Sequence, residues 1–210
     1  MDDAGLLEVL DRSRGLGFLG PGSVRVHVDH AAGFAAGVDA PGRFLDLGSG
    51  GGVPGLVLAR RWPGSRVVLL DSRQRRCDFL AEAVRSLGLA ARVVVECGRA
   101  EDAGHRRDLR GQFDLVTSRA FGPPPVTAEC GAPFLRVGGT LVVSEPPQDE
   151  TGLAAAKGAE RWPPDGLAPL GLAVGRSWVD RYRYQALAQV EPCPSTYPRK
   201  PGIPAKHPLF

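Results

Sequence analysis

The chain has 210 residues, of which 43% are hydrophobic and 23% are charged, and this composition is that of one globular domain with a buried core. The N-terminus carries two acids where a secretory signal would carry positive charge, and no apolar run is long enough to cross a bilayer, so we expect a cytoplasmic monomer without a membrane partner. The net charge of +3 permits a polyanionic partner without requiring one.

The cysteines and histidines do not indicate a metal site. The four cysteines are widely spaced and include no Cys-x-x-Cys pair, so neither a disulfide framework nor a zinc site is expected. His27 and His30 have the spacing of one helix face, but two imidazoles without further ligands seldom bind a metal. We therefore expect reduced thiols and no metal.

The residues before Arg43 are predicted to form an N-terminal helical segment over 1–42, and a core follows over 43–144. In this core, short apolar runs alternate with amphipathic stretches, which is typical of strand-helix-strand units in a parallel sheet. Strands are predicted over 43–47, 66–71, 92–96, 113–118 and 140–144. Helices are predicted over 54–62, from about 77 to 87, and near 126–135.

The C-terminal part of the sequence is predicted to contain three further segments. Residues 145–170 are rich in Pro, Gly and Ala and indicate a surface connection. Residues 171–192 contain two strands, near 174–179 and 183–190, that we expect to pair antiparallel at the edge of the sheet. Residues 193–210 form a basic, proline-rich tail. The predicted fold is a single α/β domain with a Rossmann-like, mostly parallel, doubly wound sheet and an antiparallel edge strand.

A glycine-rich loop and a carboxylate lie at the ends of the first two predicted strands. The loop runs from Gly48 to Gly55, and Asp71 ends the second strand 25 residues after Asp46. Glycines let a ligand approach the backbone closely, and a carboxylate at this position can accept hydrogen bonds from both ribose hydroxyls. The pair predicts an adenosine-type ligand.

The loop also satisfies the dinucleotide pattern G-x-G-x-x-G from Gly50 to Gly55, so an NAD-dependent oxidoreductase is an alternative. Asp46 favours S-adenosylmethionine, because a carboxylate there would repel a pyrophosphate and attract the methionyl ammonium. A second interpretation is that Asp46 caps N–H groups of the turn itself.

Four segments of the core carry a family resemblance. They are Leu45-Asp46-Leu47-Gly48-Ser49-Gly50 with Val53-Pro54-Gly55, then Leu70-Asp71-Ser72, Arg99-Ala100-Glu101 and Ser118-Arg119-Ala120-Phe121. With the tail from Tyr197 to Lys206, they resemble the bacterial small-subunit ribosomal RNA guanine-N7 methyltransferases, RsmG, also called glucose-inhibited division protein B. The resemblance implies a class I S-adenosylmethionine-dependent methyltransferase acting on ribosomal RNA or the small ribosomal subunit.

The residue arguments and the resemblance together give the candidate site. The expected cofactor-binding residues are Asp46, Gly48, Gly50, Val53, Asp71, Ala100, Glu101 and Arg119. The resemblance makes Arg119 and Arg183 positioning residues that face the site. Guanine N7 has a free lone pair, so no catalytic acid or base is expected. Arg119 is expected to orient the methionyl carboxylate, contact RNA phosphate, or pair with an acid such as Glu101.

Basic residues in two places are candidates for contacts with RNA. In the tail they are Arg199, Lys200 and Lys206, and the tail is either a disordered end or an arm that grips RNA. The second place is the start of the second helix, with Arg73, Arg75 and Arg76. These arginines either contact RNA or form an ordinary solvated helix face.

The chain departs from the family pattern in two places. It starts later than the family's longer helical N-terminal segment, and Ser144-Glu145-Pro146-Pro147 replaces the family's Lys-Gly after the fifth strand. A divergent member with a shortened N-terminus is therefore expected. A small-molecule methyltransferase and a cofactor-binding protein without catalysis remain the alternative functions.

Overall fold

The computed structural model of the chain describes residues 4–146 and 161–210. Its strands are β1 (Arg43–Leu47), β2 (Arg66–Asp71), β3 (Val93–Cys97), β4 (Phe113–Ser118), β5 (Leu135–Ser144), β6 (Leu172–Asp180) and β7 (Tyr182–Gln189). Its α-helices are α1 (Ala4–Gly15), α2 (Val24–Gly33), α3 (Gly55–Arg61), α4 (Gln74–Ser86), α5 (Ala100–Ala103), α6 (Pro124–Gly131), α7 (Pro164–Leu167) and α8 (Ile203–Lys206). Short 3-10 turns follow at Phe34–Gly37, Ala132–Phe134 and Ala168–Leu170.

The strands form one seven-stranded sheet in the order β3-β2-β1-β4-β5-β7-β6. The strands β1 to β5 are parallel, and β7 is antiparallel to both of its neighbours. The prediction of a Rossmann-like, mostly parallel sheet is confirmed, and so is the antiparallel pairing of the last two strands. Because the strand order reverses between β1 and β4, the loops after these strands diverge and leave a crevice for a ligand at that edge.

Both faces of the sheet are covered, as the continuous apolar runs of its strands require. Successive side chains of β1 point to opposite faces, so Phe44 belongs to one buried cluster and Leu45 to the other. Helices α1 and α2 cover the first face, where Leu10 of α1 is fully buried. The predicted N-terminal helical segment therefore closes one side of the core.

The predicted surface connection over 145–170 is corrected for its described part. Residues 147–160 lie outside the described residues. Trp162, Leu167 and Leu170 are buried in the cluster on the second face of the sheet. The Pro and Gly content of the segment suggested a solvated loop, but three large apolar side chains anchor its second half in the core.

The tail is also an ordered part of the structure. Tyr197, Leu209 and Phe210 pack against the cluster on the second face, and α8 lies between them. Of the two interpretations left open by the sequence, a disordered end is therefore wrong. In the part of the chain that the structure describes, no helix has the length and apolar character needed to cross a membrane.

Candidate functional site

The glycine loop between β1 and α3 is fastened to the end of β2. The backbone N–H groups of Gly48 and Ser49 both donate to the carbonyl oxygen of Leu70 at 2.9 Å. Gly48 and Gly50 have φ values of 73° and 53°, a region that residues with a Cβ rarely adopt. The sequence therefore needs glycine at these positions to turn the chain sharply at the crevice.

Asp46 supports this loop from beneath. Its carboxylate is buried and accepts hydrogen bonds from the Thr117 hydroxyl at 2.8 Å and from the Gly55 N–H at 3.0 Å. Burial raises the pKa of Asp46 to about 6, although these hydrogen bonds act in the opposite direction. The structure thus shows the capping role for Asp46, and it does not bring this carboxylate to a cavity wall.

Asp71, at the end of β2, is oriented by backbone donors. The N–H of Gly50 donates to Oδ2 and the N–H of Arg73 to Oδ1, both at 2.9 Å, while the Arg76 guanidinium lies 3.6 Å from Oδ2. Each carboxylate oxygen has more than one acceptor site, so these bonds leave capacity for a ligand. The carboxylate is therefore held at the crevice as an acceptor of fixed direction.

A cleft of about 400 Å³ opens above the carboxyl ends of β1 to β4. Its walls include Gly48, Asp71, Ala100, Glu101, Phe121 and Ala205. This volume is in the range of small-molecule sites, and an oriented carboxylate near apolar residues such as Phe121 and Ala100 suits a ribose next to a purine. The residues present therefore fit an adenosine-type cofactor, and a nucleoside methionine derivative would be held by Asp71 and the Gly48 backbone.

The structure brings together four of the eight expected cofactor-binding residues at this cleft. Gly48, Asp71, Ala100 and Glu101 line it. The other four, Asp46, Gly50, Val53 and Arg119, do not. Of these, Gly50 acts on the cleft through its hydrogen bond to Asp71.

Phe121 separates the cleft from a second cavity. A Cβ added to Gly48 would lie 2.7 Å from Cδ2 of the Phe121 ring, so the ring packs directly on the glycine loop. The preceding residue, Ala120, has a φ of 54°, a strained backbone conformation for a residue with a side chain. Such strain occurs preferentially at functional sites, and here it fixes the direction of Phe121.

The second cavity has a volume of about 370 Å³ and lies above the ends of β4 and β5. Ser118, Arg119 and His30 line it, and Ala120, Phe121 and Gly122 form walls of both cavities. Ser118 Oγ, Arg119 Nη1 and His30 Nε2 are buried without a hydrogen-bond partner in the described ranges 4–146 and 161–210. Unpaired buried polar atoms are costly, so their convergence on one cavity indicates a polar ligand.

His30 of α2 lines this cavity, and His27 of the same helix contacts the cavity residue Arg119; sequence reasoning considered both only as metal ligands. His27 Nδ1 lies 2.7 Å from Arg119 Nη2, and the His30 ring stacks on Tyr182 with the ring centroids 4.0 Å apart. Burial lowers the pKa of His30 to about 4, and the charge of Arg119 adds to the effect. Their spacing on one helix face was the only signal that could have found them.

Arg119 does not pair with Glu101, which was one of the expected roles. Glu101 instead forms an ion pair of 2.6 Å with Arg99. Arg183 lines neither cavity: it is half-buried on β7, and its carbonyl oxygen accepts a hydrogen bond of 2.8 Å from the Glu145 N–H. The expectation that Arg183 faces the site stays a prediction: its strand β7 pairs with β5, and its hydrogen-bond partner Glu145 lines the second cavity.

The segment that departs from the family pattern also lies at the second cavity. Glu145 accepts a hydrogen bond of 2.6 Å from the Trp162 indole and forms an ion pair of 2.6 Å with Arg161. These three residues line the same cavity as Arg119. Within ranges 4–146 and 161–210, no group of three or more His, Cys, Asp or Glu side chains is arranged to hold a metal ion.

Solved structures with the same fold include methyltransferases. An O-methyltransferase from Bacillus cereus, solved in complex with SAH, matches with a TM-score of 0.65 and 19% identity over 90% of this chain and 92% of that chain. The O-methyltransferase TomG from Streptomyces achromogenes, solved with SAM, matches with a TM-score of 0.60 and 19% identity over 90% of each chain. At this identity the likeness shows the fold.

Sequence relatives are closer. A protein from Moorella thermoacetica named ribosomal RNA small subunit methyltransferase G is 37% identical over 80% of this chain and 69% of its own length. A protein of the same name from Prochlorococcus marinus is 39% identical over 80% of this chain and 68% of its length. A third, from Parasynechococcus marenigrum, is 37% identical over 79% of this chain, and the match spans 66% of its length. Residues 25–161 match the family model GidB, described as rRNA small subunit methyltransferase G, so the chain belongs to this family of methyltransferases.

Proposed function

We propose that the chain transfers the methyl group of S-adenosylmethionine to N7 of a guanine in small-subunit ribosomal RNA. The relatives named above supply the substrate class. The observation that carries the proposal is the pair of cavities that meet at Phe121, one with an oriented carboxylate and one with unpaired donors. We further propose a protein that works as a monomer in the cytoplasm.

The first cavity holds the cofactor in this proposal. Asp71 accepts hydrogen bonds from the ribose, and the apolar walls of the cleft contact the purine. S-adenosylmethionine supplies a sulfonium methyl group that a lone pair can attack. Phe121, in the wall shared by the two cavities, keeps bulk water from the position where they meet.

The second cavity holds the acceptor base. Guanine presents O6 and N7 as neighbouring acceptors, and a donor bound to O6 orients the base while leaving the N7 lone pair free. Arg119 Nη1 is such a donor, because its other amino group is already engaged by His27. The Ser118 hydroxyl is a second donor in the same cavity.

The residues of the site position the base and need not move a proton. Attack by N7 requires no deprotonation, so alignment of the reacting atoms is the main contribution, worth roughly 7 to 11 kcal/mol in well-oriented systems. With its lowered pKa of about 4, His30 is neutral at neutral pH and serves as a hydrogen-bonding group and a stacking surface.

The decisive experiment is transfer of labelled methyl to small ribosomal subunits, and separately to naked ribosomal RNA, from cells that lack this protein. The product nucleosides are then separated, and we expect label in 7-methylguanosine. Label in another nucleoside would overturn the N7 assignment. Label in no RNA, together with label in small molecules of a cell extract, would favour a small-molecule methyltransferase. Cofactor binding without any labelled product would favour a protein without catalysis.

A further inference from the structure

The basic tail is hydrogen-bonded to residues of the methyltransferase core. Arg110 donates hydrogen bonds of 2.7 to 2.8 Å to the carbonyl oxygens of Cys193, Pro194 and Tyr197. His105 Nε2 lies 2.8 Å from the carbonyl oxygen of Pro198. These bonds fix the backbone of the tail up to the residue before Arg199.

Arg199, which is half-buried, forms an ion pair with the buried Glu129 of α6. Its Nε and Nη2 donate to the two carboxylate oxygens at 2.9 and 2.6 Å, and its backbone N–H donates to Oε1 at 2.8 Å. Nη2 also donates to the carbonyl oxygen of His207 at 2.7 Å, which links the segment before α8 to the residue that follows it. Glu129 is fully buried, so this carboxylate depends on Arg199 for its charge compensation.

This ion pair places the next residues of the tail on the cofactor cleft. Three residues after Arg199, the N–H of Gly202 donates to Glu101 Oε1 at 3.0 Å, with Gly202 in the left-handed region at a φ of 82°. Glu101 and Ala205 both line the cleft. Cys130, which follows Glu129 on α6, lines it as well.

We propose that the tail is a wall of the cofactor site and that Arg199 is a positioning residue for cofactor binding rather than a contact for RNA. This inference rests on the proposed function, because it takes the cleft as the S-adenosylmethionine site. The chain of contacts is short: Glu129 holds Arg199, the tail then reaches Gly202, whose N–H donates to Glu101, and Ala205 lines the cleft with Glu101. Cofactor binding and docking of the tail are then linked, so each stabilises the other.

The first test uses the wild-type chain. Hydrogen exchange of the backbone amides of the non-proline residues in 199–205 is measured with and without saturating S-adenosylhomocysteine, and we expect exchange of the Gly202 amide to slow about tenfold or more when the ligand is bound. The amides of β6, far from the cleft in the sheet order, serve as the internal control. Unchanged exchange in the tail of a protein that binds the ligand would overturn the inference and leave the proposed function intact.

The second test is Arg199→Lys, which keeps the charge but loses the bidentate geometry. We expect the Kd for S-adenosylhomocysteine to rise about fivefold or more, with the KM for S-adenosylmethionine rising in step. The Kd for RNA, measured at saturating S-adenosylhomocysteine, is expected to stay at the wild-type value. The matched control is Arg136→Lys, the same change in the exposed ion pair that Arg136 forms with Asp114 at the opposite end of the sheet.

The outcomes separate the inference from the function. An Arg199→Lys protein that binds the cofactor normally and RNA weakly would make Arg199 an RNA contact and overturn the inference alone. A wild-type protein that binds neither S-adenosylmethionine nor S-adenosylhomocysteine would overturn the proposed function and the inference with it. If Arg199→Lys does not fold, the exchange measurement on the wild-type chain decides.

Discussion

Arg119 and His27 share a hydrogen bond of 2.7 Å between Nη2 of the guanidinium and Nδ1 of the imidazole. A guanidinium can only donate, so Nδ1 accepts and the ring proton lies on Nε2, 3.1 Å from the carbonyl oxygen of Gly20. Burial lowers the pKa of His27, and the charge of Arg119 lowers it further. A neutral acceptor on α2 therefore orients Arg119 and leaves its Nη1 directed at the second cavity.

This relationship predicts the behaviour of His27 variants. His27→Ala leaves a second nitrogen of Arg119 unpaired and frees the side chain to rotate, so we expect kcat/KM for RNA to fall by roughly 10- to 100-fold, equivalent to about 1 to 3 kcal/mol. His27→Gln is the matched variant, because its amide oxygen can accept from Arg119, and it should retain most of the activity. Methyl transfer to small subunits measures both. Equal losses in the two variants would contradict the positioning role.

Arg119 itself is expected to act on the acceptor and not on the cofactor. Because it lines the second cavity and not the cleft, Arg119→Ala should lower kcat by about 100-fold or more, as loss of one oriented donor does in other enzymes. The Kd for S-adenosylhomocysteine, measured by calorimetry, should not change. Arg136→Ala controls for loss of an arginine elsewhere. A large rise in the cofactor Kd would instead place Arg119 on the methionyl carboxylate.

Asp71 is expected to govern cofactor affinity. Asp71→Ala removes the only carboxylate of β2 that lines the cleft, and the loss of charge-assisted bonds to the ribose should raise the Kd for S-adenosylhomocysteine by roughly 10- to 100-fold. Asp78→Asn, an exposed carboxylate on the neighbouring helix α4, is the control and should bind normally. Thermal unfolding without ligand checks that Asp71→Ala is folded. Wild-type affinity in Asp71→Ala would remove it from the site.

The parts of the site that local sequence determines could be predicted. The strand at Arg66–Asp71 is a continuous apolar run, and the loop after β1 is fixed by glycines at positive φ, so the sequence predicts Asp71 and Gly48 at one crevice, and both line the cleft. Residues that depend on distant partners could not be placed. For Asp46 the sequence predicts either a cofactor contact or a cap of the turn; the structure shows the cap on Gly55, and the second partner, Thr117, lies 71 residues away.

The position of the tail could not be predicted from its sequence either. Its proline and basic content is what disordered or RNA-binding segments also have, so composition could not distinguish these cases from a docked segment. Arg199 is held in place by Glu129, which lies 70 residues earlier. Glu129 is on α6, a helix of mostly small and apolar residues. A buried carboxylate at this position requires a basic partner, but the sequence does not identify which arginine is that partner.

The buried Asp46 predicts a specific pH dependence of stability. Its folded pKa of about 6 lies above the ordinary value, so the folded state binds the proton more tightly than the unfolded state does. The free energy of unfolding should therefore fall as pH rises from about 4 to about 6, by up to about 3 kcal/mol from this group, and then stay level. Denaturant unfolding of the wild type and of Asp46→Asn across this range measures the effect as a difference. Parallel curves for the two proteins would contradict the prediction.

Two lysines of the tail remain the candidates for phosphate contacts once Arg199 is assigned to Glu129. Lys200 and Lys206 are exposed, and Lys206 follows Ala205 at the rim of the cofactor cleft. If both contact phosphates of bound RNA, the double variant Lys200→Ala and Lys206→Ala should weaken RNA binding and reduce the slope of log K against log salt by about 0.7 to 0.9 per lost contact. Fluorescence titrations between low and moderate salt measure the slope. A weaker Kd with an unchanged slope would mean that the lysines act through the fold of the tail, because only lost phosphate contacts change the number of counterions released.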